Sequence, residues 1–95
     1  MNNSHAVLIH IQAIDFDQMV SLEDKLIDLL EPMKVGEHDG HEIGQGETTL
    51  WLYGANADEL FAFIKPTLLQ HPFSQGARIV LRYGEPGSLE KEIQL

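Results

Sequence analysis

Ninety-five residues, 43% hydrophobic and 22% charged, match ordinary globular usage, so the chain reads as one folded domain over residues 1–95 rather than a disordered or membrane-embedded segment. The net charge of −9 is uneven: residues 1–64 carry twelve acids against Lys25 and Lys34, and the remainder carries three acids and four bases. Such a surface repels phosphate backbones, which argues against a nucleic-acid partner, and the absence of cysteine removes disulfides, thiolate nucleophiles and thiolate metal sites.

No run reaches the roughly 18 apolar residues of a membrane span, and MNNSHAVLIHIQAID lacks the basic start and cleavage site of a signal peptide. A cytoplasmic protein with no membrane partner is expected. From Ala6 to Ile14, AVLIHIQAI predicts a first strand with Val7, Ile9 and Ile11 on one side and Leu8, His10 and Gln12 on the other. Asp15 and Asp17 are both candidate N-caps for the helix that follows. Its apolar stripe runs through Met19, Leu22, Leu26, Leu29 and Met33, widened by Val20, Ile27 and Leu30. Glu23, Asp24, Lys25, Asp28 and Glu31 are assigned to the solvent side, and Pro32 marks the end.

Residues 34–54 fit two strands and a turn. ETTLWLYG, residues 47–54, alternates Leu50 and Leu52 against Thr49, Trp51 and Tyr53. Asn56 followed by Glu59 predicts the start of a second helix with Leu60, Phe61, Ile64 and Leu68 inward, which Pro66 should kink or end early. ARIVLRY then sends Ile79, Leu81 and Tyr83 one way and Arg78, Val80 and Arg82 the other. The turn Gly84–Ser88 leads into a short last strand, LEKEIQL, in which Leu89, Lys91, Ile93 and Leu95 alternate.

This order is similar to the ferredoxin-like arrangement: an α+β, βαββαβ two-layer sandwich with an additional short C-terminal β-strand. It implies two helices on one face of an antiparallel sheet, with the first and third strands central and the other face open. Leu8, His10, Trp51, Tyr53, Arg78, Val80 and Arg82 would share that open face. An apolar, aromatic and Arg-bearing surface points to an interface or ligand site. The favoured expectation is a homodimeric binding or regulatory module, with a small planar or anionic ligand held by Trp51, Tyr53, Arg78 and Arg82 as an added role. The rival is a small enzyme with its site between facing sheets, using His10, Tyr53 and Arg82. An RNA-binding sheet is disfavoured because the glycine-aromatic signature is missing from the third strand.

The segment EHDGHEIGQGETT, residues 37–49, packs two histidines, four acids and three glycines together. A two-residue turn at Asp39-Gly40 would set His38 and His41 opposite each other, where both could hold one metal ion. A third ligand would have to come from Glu37, Asp39 or Glu42, so zinc binding is expected to be weak at most. A bulge at Asp39-Gly40 in a long second strand, with Gly44-Gln45-Gly46 closing the hairpin, fits the spacing better. Gly44-Gln45-Gly46 enters a strand and no lysine follows, so no nucleotide loop and no cofactor are expected. No serine stands in a nucleophile-elbow context.

Overall fold

Period-two alternation of apolar side chains builds the sheet. In a computed structural model that describes residues 3–95, β1 (His5–Ile11) buries Val7, Ile9 and Ile11 toward the helices. β3 (Glu47–Gly54) adds Leu50 and Leu52, and β4 (Arg78–Arg82) adds Ile79 and Leu81. With β2 (Glu37–Gly44) and β5 (Glu90–Gln94) these strands form an α+β structure whose five-stranded, antiparallel open sheet has the order β2-β3-β1-β4-β5. β5 pairs with β4 of its own chain, from Arg78↔Gln94 to Arg82↔Glu90. That pairing makes β4 an interior strand and leaves β1 alone at the centre, with two strands on either side.

Two helices cover one face. α1 (Phe16–Leu30) starts at Asp15, whose carboxylate accepts the Gln18 N–H at 3.1 Å, and it buries Met19, Leu22, Leu26 and Leu30. Val20 and Ile27 are exposed and do not widen the buried stripe as expected, and two further expectations fail here. Met33 lies beyond the helix end and is 59% exposed, because the chain has already turned away from the core. Glu23, assigned to solvent, is buried. α2 (Ala57–Gln70) starts at Asn56, which accepts the Glu59 N–H at 3.0 Å, and buries Leu60, Phe61, Ile64 and Leu68. It continues past Pro66 to Gln70, against the expected early end. Pro66 and Ala62, whose carbonyl loses its partner, are both exposed, so water can satisfy that carbonyl while Ile64 and Leu68 hold the axis on the sheet.

The β2–β3 hairpin closes at Gln45 (φ 52°) and Gly46 (φ 76°), both left-handed, between the paired residues Gly44 and Glu47. This is a two-residue turn of the primed kind, which matches strand twist. Asp39-Gly40 makes a bulge and not a turn: the register steps from His38↔Leu52 to Gly40↔Trp51, leaving Asp39 as the extra residue. Three positions apart in a regular strand, His38 and His41 would face opposite ways. The extra residue puts both on the helix-covered side, opposite Leu52 and Leu50.

Ile9, at the centre of this packing, is completely buried, and Leu89 is 79% exposed. Ile9→Ala is expected to cost about 2–5 kcal/mol in urea unfolding, and Leu89→Ala no more than about 0.5 kcal/mol. Similar losses in both variants would contradict this placement of the core.

Candidate functional site

The face turned away from the helices is organised in cross-strand rows. Strand register aligns Glu37, Tyr53, Ala6, Arg82 and Glu90 in one row, and Gly40, Trp51, Leu8, Val80 and Glu92 in the next. A third row holds Glu42, Thr49, His10, Arg78 and Gln94. The central row is therefore apolar across β3, β1 and β4, and both flanking rows are polar. Ala6 and Val80 are buried yet belong to no part of the core under the helices. Neighbouring side chains on their own face cover them, while Leu8 and Trp51 stay half-buried.

One flanking row is closed by Arg82, whose guanidinium lies 5.9 Å from the Tyr53 ring centre, and whose Nε donates to the Gly84 carbonyl at 2.8 Å. Ala6 between Tyr53 and Arg82 is small enough to let them meet over it. The other flanking row adjoins a polar network centred on Glu47. Glu47 accepts from Gln12 Nε2, lies 3.5 Å from His10 Nδ1 and 4.0 Å from an Arg78 nitrogen. His10 Nδ1 also meets Thr49 Oγ1 at 2.9 Å, and Arg78 donates to Glu92 at 3.1 Å. Because Thr49 and Glu47 both approach the same ring nitrogen, they do not form a nucleophile–base–carboxylate relay, which would use both nitrogens. A polar groove of about 390 Å³ adjoins this network, lined by Gln12, Glu42, Gln45, Glu47 and Thr49 among others.

The seven open-face residues expected from the sequence thus share one surface, but its chemistry is divided. His10 pairs across to Thr49, and Tyr53 to Ala6, four residues away along β1. That separation is about 13 Å at a strand rise of about 3.3 Å per residue, too far for His10 and Tyr53 of one chain to act as an acid/base couple on one substrate atom. Arg78 sits beside His10, and Arg82 beside Tyr53.

On the opposite side of the sheet, the bulge brings His38 and His41 to Glu23 of α1. His38 Nε2 and His41 Nδ1 lie 2.5 Å and 3.1 Å from the same oxygen, Glu23 Oε2. The Glu23 side chain is 9% exposed, and none of Glu37, Asp39 or Glu42 makes these contacts. The partner carboxylate comes from the helix because Glu23 lies four residues after Met19 and three before Leu26, on the buried stripe.

Burial of His10 on the open face, aided by the positive charge of Arg78 and opposed by Glu47, lowers its pKa below the ordinary 6.5. Unfolding therefore takes up a proton on His10 between that ordinary value and the lowered one. The stability tied to neutral His10 is complete above about pH 6.5 and is lost as the pH falls through this window. His10→Gln is expected to lose less stability than the wild type between about pH 7.5 and pH 5.5, measured as urea midpoints. Equal acid sensitivity in the two proteins would contradict the assignment. Compared with protein-family models, with curated proteins and with solved structures, the chain matches none, so the chemistry of these surfaces must be read from their own residues.

Proposed function

We propose that this chain is a cytosolic, ferredoxin-like module with an added edge strand, and that it binds a second copy of itself through the open sheet face. The observation that carries the proposal is the row Trp51, Leu8 and Val80, apolar across three adjacent strands and covered by neither helix. An apolar centre bracketed by polar rows has the layout of a protein interface. Twofold pairing is the commonest way for such a face to be buried. About a twofold axis parallel to β1, the strand β4 of one copy would lie over β3 of the other. Arg78 and Arg82 would then meet the Thr49, Trp51 and Tyr53 side, with Glu47 beside it, and not each other.

A small planar or anionic ligand on the same face draws less support, because both arginines already have partners within the chain. Enzymatic use of His10, Tyr53 and Arg82 draws less still, given the distance between the rows. No described helix is long and apolar enough to cross a membrane.

Sedimentation equilibrium over a wide concentration range tests the pairing. The wild type is expected to be a reversible dimer, and Trp51→Ala to weaken it by about 2 kcal/mol or more, as the loss of an aromatic anchor does. A wild-type monomer throughout, or a dimer indifferent to Trp51→Ala, would rule out this face as the contact.

A further inference from the structure

The helix-side cluster of Glu23, His38 and His41 has chemistry independent of the open face. Its carboxylate is nearly buried, and no lysine or arginine among the described residues lies within salt-bridge distance of it. A carboxylate removed from water is costly unless positive charge accompanies it. The two imidazoles donate hydrogen bonds to it and bring positive charge only when protonated. A divalent cation would bring that charge, and two imidazoles with one carboxylate are a donor set suited to zinc.

We propose that Glu23, His38 and His41 form a binding site for a zinc-like divalent ion, with Glu23 as the third ligand that the β2 segment lacks. As the side chains stand, no three His, Asp or Glu groups among the described residues are spaced around an ion. The three donors instead close on one another through hydrogen bonds, with protons where the cation would sit. Ligand bonds of about 2.0–2.1 Å in a tetrahedral site separate neighbouring donors by roughly 3.3 Å. Both nitrogen–oxygen distances, 2.5 Å and 3.1 Å, are shorter than this, so the donors would have to separate and the two imidazoles re-aim to admit the ion. His41, with its side chain 39% exposed, has the freedom to move. His38 also lines a groove of about 250 Å³ together with Ile27, Leu30 and Gly36, so its ring has open space on one side. The bulge at Asp39 is what makes the site: a regular β2 would turn one imidazole to the other face.

The test is calorimetric titration of the untagged protein with zinc chloride at neutral pH. One ion per chain is expected, with a dissociation constant of about 10 μM or tighter. Binding should weaken at least about tenfold in Glu23→Gln and in His41→Gln, and stay unchanged in the open-face variant His10→Gln. His41→Gln, at the most exposed of the three positions, guards against loss of the fold, which circular dichroism checks in each variant. Zinc should also raise the urea midpoint of the wild type by more than that of Glu23→Gln. Absence of binding by the wild type, or binding indifferent to Glu23→Gln and His41→Gln, would overturn the site.

Discussion

Both helices of this chain lie on the same face of the sheet, and every strand has two faces. The side chains on the covered face, led by the fully buried Val7, Ile9, Leu50, Leu52, Ile79 and Leu81, are dried by α1 and α2. Those on the other face receive no such cover from their own chain, yet β1 still places Ala6 and Leu8 there between Tyr53, Trp51, Val80 and Arg82. The chain answers in part from within: Arg82 lies over the Tyr53 ring, and Glu47 gathers Gln12, His10 and Arg78. What remains is the half-buried centre formed by Leu8 and Trp51, and the proposed pairing of two copies is the way to remove it from water.

A second constraint acts on the sheet edge. β2 is an exposed strand, and unpaired edges invite unwanted pairing with other chains. The bulge at Asp39 breaks the edge's regularity and also turns His38 and His41 onto one side, where they reach Glu23. One inserted residue thus serves the edge and builds a polar cluster between strand and helix. The two candidate sites lie on opposite faces of the same sheet, so the proposed pairing through Trp51 and ion binding at Glu23 need not interfere.

Much of this was legible in the sequence wherever a single rule decides. Alternation in AVLIHI, ETTLWLYG and ARIVLRY assigns each strand residue to a face, and Asn56 with Glu59 marks the start of α2. Where two rules compete, the outcome depends on packing. Proline chemistry argued for a break at Pro66, but Pro66 lies on the solvent side and burial of Ile64 and Leu68 carried the helix on. Charge argued that Glu23 faces water, although its position between Met19 and Leu26 had already placed it on the apolar stripe. A carboxylate within such a stripe is a signal of a partner across the interface, and the bulge that delivers that partner depends on register. The distance between His10 and Tyr53 is likewise a matter of register, which face assignment alone does not give.

Trp51 is the chain's single tryptophan and stands beside Leu8 in the apolar row, so its fluorescence reports directly on whether that row is wet. The most direct test is its emission and acrylamide quenching across a wide dilution series, for the wild type and for Leu8→Glu. Pairing through the open face predicts that emission shifts to shorter wavelength and quenching falls as concentration rises, and that Leu8→Glu abolishes the dependence. Emission and quenching independent of concentration in the wild type would contradict the claim that a second copy covers this face.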